Sequence, residues 1–143
     1  MTKPIRRMAN VNGAITPLEE ARISILDRGF LYGDSVYEVF RTYEGVPMFC
    51  HEHFDRLDNS ARLIQMTVSQ SREEMLDEMR RTVQAAEVEP GQDVYIRWHV
   101  TRRGDGALPA DGDVFALTIF NAKYVAPAAA GRYPIAEGVG EMK

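Results

Sequence analysis

The sequence is short of cysteine and tryptophan, with one of each in 143 residues. A lone Cys50 cannot close an internal disulfide, which excludes a bridged secreted scaffold and favours a reducing, cytoplasmic setting. No apolar run approaches the roughly 18–20 residues that cross a bilayer. The basic start Lys3-Pro4-Ile5-Arg6-Arg7 is not followed by the apolar stretch of a secretory signal. Excess positive charge is missing too: 17 Lys+Arg against 21 Asp+Glu give a net charge of −4, so no nucleic-acid partner is expected. Internal repeats are absent, as are a glycine-rich phosphate loop and a serine nucleophile elbow. His51, Glu52 and His53 do not have zinc-helix spacing, and Cys50 has no metal-ligand partner by spacing, so no metal is expected.

What is present is an ordinary balance of 45% apolar and 27% charged residues, enough for one soluble unit with its own core. Asn12-Gly13 between Val11 and Ala14-Ile15 predicts a tight hairpin. Asp27-Arg28-Gly29 and Tyr32-Gly33-Asp34 read as turns bracketing a short segment. The β-forming run 35–43 turns at Glu44-Gly45 into a short return strand, which Pro47 restricts to an edge. Residues 51–64 carry Phe54, Leu57, Ala61 and Ile64 on one helical stripe. Ser71-Arg72-Glu73-Glu74 is a capping box, continued by Met75, Leu76, Met79, Val83 and Ala86 and stopped by Glu89-Pro90-Gly91.

Residues 94–101 alternate, with Val94, Ile96, Trp98 and Val100 on one face and Tyr95, Arg97, His99 and Thr101 on the other. Residues 103–113 read as a long loop, and 114–120 as a strand covered on both faces. Strands, helices, then strands indicate an α+β layer structure with an antiparallel-rich sheet and helices on one face. Beyond Tyr124 the Ala-, Pro- and Gly-rich chain reads as a linker.

Chemistry concentrates in the Tyr95-Arg97-His99 row. Its side chains fall about 6.5–7 Å apart at strand spacing and could line one wall of a cleft. Arg97 can clamp a carboxylate through two parallel N–H donors. A half-exposed sheet face with incidental polar residues fits the pattern equally well. Tyr37 and Val39, with Arg41 and Tyr43, form a similar row, and Tyr32 lies in the turn before it. His53, Arg56 and Ser60 form a second line on the first long helix, which by itself reads as a surface. Arg102-Arg103 reads as a solvated strand end, or as a closure over an acidic ligand.

The segments Asn12-Gly13, Asp27-Arg28-Gly29-Phe30-Leu31-Tyr32-Gly33-Asp34-Ser35-Val36-Tyr37-Glu38-Val39 and Arg41-Thr42-Tyr43-Glu44-Gly45, with His53-Phe54-Asp55-Arg56-Leu57-Asp58-Asn59-Ser60-Ala61, resemble the N-terminal half of class IV aminotransferases. These are fold type IV pyridoxal-phosphate enzymes, and the likeness covers about residues 9–139. It implies that Arg56 holds the cofactor phosphate and that Tyr32 and Tyr37 line the substrate pocket. Tyr95-Ile96-Arg97 is similar to the branched-chain group's strand, whose tyrosine and arginine orient the substrate carboxylate. His99 and the Arg102/Arg103 pair lie near carboxylate-binding positions of other subgroups.

The implied activity is transfer of an amino group between an amino acid or amine and a 2-oxo acid, with pyridoxal 5'-phosphate as cofactor and branched-chain substrates favoured. An aminodeoxychorismate lyase-type parent is one alternative, and a non-catalytic binding or assembly module of the same fold is another. The resemblance places the catalytic lysine in a second domain, and neither Lys123 nor Lys143 stands in its sequence context. The expectation is therefore a small domain over residues 1–124 and, over 125–143, an interdomain linker with the start of a lysine-bearing domain. The chain alone is expected to be inactive, and the full-length form a homodimer.

Overall fold

The protein, seen in a computed structural model, is described over residues 3–102 and 113–121. A hairpin comes first, of β1 (Met8–Val11) and β2 (Ala14–Pro17). Its turn needs positive φ at both central residues, supplied by Asn12 at 52° and Gly13 at 87°. A single-turn helix α1 (Arg28–Tyr32) leads into β3 (Ser35–Tyr43) and the two-residue β4 (Val46–Pro47). Helices α2 (Cys50–Leu63) and α3 (Arg72–Ala85) follow, then β5 (Val94–Arg102) and β6 (Asp113–Asn121). The strands form one sheet in the order β2-β1-β6-β5-β3-β4, every neighbouring pair antiparallel.

Period-two alternation fixes which side of the sheet is buried. Val36 and Phe40 of β3 share a face with Val94, Ile96, Trp98 and Val100 of β5, all buried. Phe54, Leu57 and Ala61 of α2 and Met75 and Met79 of α3 bury against that face. The capping box at the start of α3 is formed, with Ser71 Oγ accepting from Glu74 N at 3.2 Å and Glu74 Oε2 accepting from Ser71 N at 2.7 Å. The buried Asn10 amide is paired: its Nδ2 donates to Glu78 Oε2 and Thr82 Oγ1, tying β1 to α3.

The structure corrects two readings of the sequence, at residues 28–32 and at Ile64, and adds detail to two others. Residues 28–32 are a helix, because Asp27 Oδ1 caps Phe30 N at 3.2 Å and Gly33 at φ 69° ends the turn. This short helix touches β5 on the face away from α2 and α3, so the two long helices share one face and α1 does not. Ile64 is half-exposed, since it caps α2 rather than lying within its stripe. Thr101 is buried beneath α1, where its hydroxyl donates to Asp27 Oδ2 at 2.6 Å. Among the described residues no helix is long and apolar enough to cross a membrane. The expected loop, apart from Asp113, and the expected linker, with Lys123 and Lys143, lie outside the described residues.

Candidate active site

Register brings the predicted strand residues together. Tyr37 of β3 sits directly across from His99 of β5, Val39 from Arg97, and Arg41 from Tyr95. Tyr37 and His99 stack with centroids 5.8 Å apart, and the Arg97 guanidinium carbon lies 3.9 Å from the Tyr37 ring centre. Arg97 thus rests on an aromatic face at cation–π distance, which fixes its plane without using up its N–H donors. Burial, then the neighbouring Arg97 charge, lowers the His99 pKa below its ordinary value, against a weaker opposing pull from Asp27. The imidazole is therefore neutral at pH 7, where it both donates and accepts. Arg97 and neutral His99 with the Tyr37 phenol make a wall suited to a carboxylate. Tyr95 is half-buried further along the same face.

Tyr32 is exposed at the end of α1, with Arg28 over its ring at 5.2 Å. Asp34 holds this corner, accepting from Arg28 Nε at 3.0 Å and Arg102 Nε at 2.8 Å. Burial alone would raise the Asp34 pKa, but hydrogen bonds and charge from both arginines hold it below the ordinary carboxylate value. Arg102 also donates to the backbone carbonyls of Ile64 and Gln65 past the end of α2. It is neither a solvated strand end nor a free ligand clamp, because its donors close the exit of that helix. Arg103 lies outside the described residues.

Arg56 occupies the other side of the sheet. Glu38, between Tyr37 and Val39 in sequence, points into the α2 face, where it is 4% exposed. Arg56 Nε donates to Glu38 Oε1 at 2.5 Å and Arg56 Nη2 to Glu38 Oε2 at 2.6 Å. His53 Nδ1 donates to the same Oε2 at 2.8 Å. Burial would raise the Glu38 pKa, but the hydrogen bonds from Arg56 and then His53 outweigh it and keep the carboxyl below its ordinary value. The Arg56 side chain is nonetheless 65% exposed, and neither bond to Glu38 uses its Nη1. Arg56 and the Tyr37-Arg97-His99 wall therefore stand on opposite faces of the sheet, linked through Glu38 and Tyr37 of β3. Along most of its length β3 is an edge strand, since β4 pairs only with Thr42 and Tyr43.

Sequence reasoning missed Glu38 and Asp34 as organising residues. The signal for Glu38 lay in the alternation of 35–43, which puts an acidic residue on the apolar face, where it has to find a cation. An apolar cavity of about 430 Å³ between α2, α3 and the sheet, lined by Phe54, Leu76, Met79 and Ile96, includes none of the predicted site residues.

The sequence model of amino-transferase class IV matches residues 35–137. The chain belongs to the class IV aminotransferase family. A Methanocaldococcus jannaschii protein that carries the name of a branched-chain-amino-acid aminotransferase is 39% identical over 101 residues, covering 71% of this chain and 34% of that protein. The D-alanine aminotransferase of Staphylococcus haemolyticus is 34% identical over 87 residues, 61% of this chain and 30% of the enzyme. Among solved structures, the T.th. branched-chain amino acid aminotransferase with pyridoxamine 5'-phosphate superposes with a TM-score of 0.69 at 27% identity, covering 83% of this chain and 41% of that one. The Thermoproteus uzoniensis branched-chain aminotransferase with norvaline gives 0.67 at 26% identity, covering 80% of this chain and 40% of the other. This class IV aminotransferase chain thus spans about a third of the length of its curated relatives, and its α+β fold is that of their N-terminal part.

Proposed function

We propose that this chain is the small domain of a pyridoxal-phosphate enzyme that moves an amino group between an amino acid and a 2-oxo acid. The observation that carries the reading is the pairing of two devices on one strand. Tyr37 packs with Arg97 and His99 in a wall suited to a carboxylate, and Glu38 holds the largely exposed Arg56 by one guanidinium edge, leaving the other.

The residues fit the cofactor's phosphate. Glu38 takes Nε and one N–H of Nη2, leaving Nη1 and the second N–H of Nη2 to form a two-pronged grip on a dianion. When bound, pyridoxal phosphate supplies the electron sink for amino transfer. Arg56 anchors the phosphate, Arg97 and Tyr95 orient the substrate carboxylate, and Tyr37 and Tyr32 line the substrate pocket. Neutral His99 adds a hydrogen bond without adding positive charge. The lysine that moves the proton is assigned to polypeptide beyond this small domain, so the 143-residue chain alone is inactive.

Branched-chain substrates are favoured because Tyr95-Ile96-Arg97 is similar to the strand of that group, and both structural relatives described above are branched-chain aminotransferases. The exposed apolar run of Ile23, Ile25, Leu26, Phe30 and Leu31 fits a homodimer as the working form, with this run covered in the assembly, and the free Cys50 fits a reducing, cytoplasmic setting. The test is an assay of the protein from the complete gene, with leucine or valine as amino donor and 2-oxoglutarate as acceptor. Keto-acid-dependent amino transfer is expected, with Arg97→Lys raising the KM for the 2-oxo acid about tenfold, since a point charge replaces a planar fork. Release of pyruvate from aminodeoxychorismate without amino transfer would replace this reading by the lyase one.

A further inference from the structure

We propose that Glu38, seconded by His53, is the positioning residue that sets the plane of the Arg56 guanidinium for an incoming phosphate; this rests on the reading of Arg56 as the phosphate arginine. Three observations support it. Arg56 is largely solvent-exposed, and an exposed arginine ordinarily samples many rotamers and loses that freedom on ordering. Both Glu38 oxygens are spent on it, Oε1 on Nε and Oε2 on Nη2, so the fork is held along its side edge. The carboxylate itself is fixed, being buried on β3 and tied through Oε2 to His53 Nδ1.

The network also assigns a proton. An ionised Glu38 only accepts, so His53 must carry its proton on Nδ1 to make the 2.8 Å bond. The 3.3 Å approach of Arg56 Nη2 to that same Nδ1 then sets donor against donor and is no hydrogen bond. Arg56 is therefore held by Glu38 alone, and His53 acts by steadying Glu38, its ring tilted against Phe40 with centroids 4.8 Å apart. The remaining guanidinium edge, Nη1 and one N–H of Nη2, is left over by Glu38 on a largely exposed side chain, and the two-point hold restricts its rotamers in advance. A phosphate meeting it loses less entropy than one meeting a free arginine.

The experiment uses the 143-residue chain labelled with nitrogen-15, titrated by NMR with pyridoxamine 5'-phosphate and, in parallel, with pyridoxamine. The second probe lacks only the phosphate, and neither carries an aldehyde to react with lysines. The wild-type Arg56 Nε–H signal is expected to exchange slowly and to shift with the phosphorylated probe alone. E38Q keeps the volume but replaces one acceptor oxygen by a donor NH₂. It should abolish the slow exchange and weaken the phosphorylated probe about tenfold, leaving the amide signals of Arg97 and His99 in place. H53Q should weaken it about threefold, and it carries the test should E38Q fail to fold. A merely structural role would alter neither the preference for the phosphorylated probe nor the Nε–H exchange. Preference and affinity unchanged in both variants would overturn the proposal while leaving the Arg56 reading standing. Equal response of the wild type to both probes would overturn that reading, and the proposal with it.

Discussion

Tyr37 and Glu38 are neighbours in the chain and project to opposite faces of β3. The Tyr37 ring lies under Arg97 and against His99, while the Glu38 carboxylate grips Arg56 and His53. One peptide unit therefore joins the candidate substrate wall to the candidate phosphate grip. A shift of β3 by one residue would exchange the two faces, burying the phenol and exposing the carboxylate.

The close approach of α1 to β5 predicts that Gly29 accepts no side chain. A Cβ there would lie 2.5 Å from Thr101 Cγ2 and 2.9 Å from Asp27 Oδ1. Gly29→Ala is expected to cost about 1–3 kcal/mol, read as a lower midpoint in urea unfolding. Thr101→Ser removes the Cγ2 methyl and keeps the hydroxyl bond to Asp27. The double variant should therefore lose less than the sum of the two singles, and strict additivity would show that the methyl is not the obstacle.

His99 predicts a pH dependence of known sign. Its pKa is lowered in the folded chain by burial and by Arg97, so below about pH 6.5 the unfolded chain takes up a proton that the folded chain resists. Stability should fall as the pH drops from 7 toward 5, and the loss should level off once the folded form is protonated as well. Urea unfolding of the wild type and His99→Gln at pH 7.5 and 5.5 measures this. The variant should show the smaller difference between the two conditions, and equal differences would refute the assignment.

Asp34 is the third point of leverage, since one carboxylate oxygen receives both Arg28 and Arg102. Asp34→Asn removes the charge from two charge-assisted bonds and should cost about 1–2 kcal/mol. The Asp34 pKa is lowered on folding, so its contribution is complete above about pH 4 and is lost as the pH falls through the folded value. Acid titration of stability should be shallower in Asp34→Asn than in the wild type below that point. Identical acid limbs would place the leverage elsewhere.

Much of the fold was legible because it follows from local rules. Asn12-Gly13 and Glu44-Gly45 specify turns with positive φ, Ser71 and Glu74 specify a helix start, and alternation in 94–101 specifies a face. The short helix at 28–32 was not legible as one. It is a single turn held by a cap from Asp27 and a tertiary contact with Thr101, with no stretch of periodic sequence to announce it. The candidate substrate wall was half legible, as alternation grouped Tyr95, Arg97 and His99. Their meeting with Tyr37 required the pairing register of two strands some sixty residues apart.

The sequence by itself determined the element types, the buried and exposed faces of the strands, and the family, because these depend on side-chain period, turn chemistry and the residues of two linked motifs. Only the tertiary structure decided what Arg56, Arg102 and Glu38 do. Each is a charged residue whose role rests on a partner fixed by packing: Arg56 on a carboxylate across the helix–sheet seam, Arg102 on the carbonyls past the end of α2, and Glu38 on two hydrogen-bond donors from one helix face. Charge pairs act over a few ångströms in space, and separation along the chain places no bound on which two groups will meet.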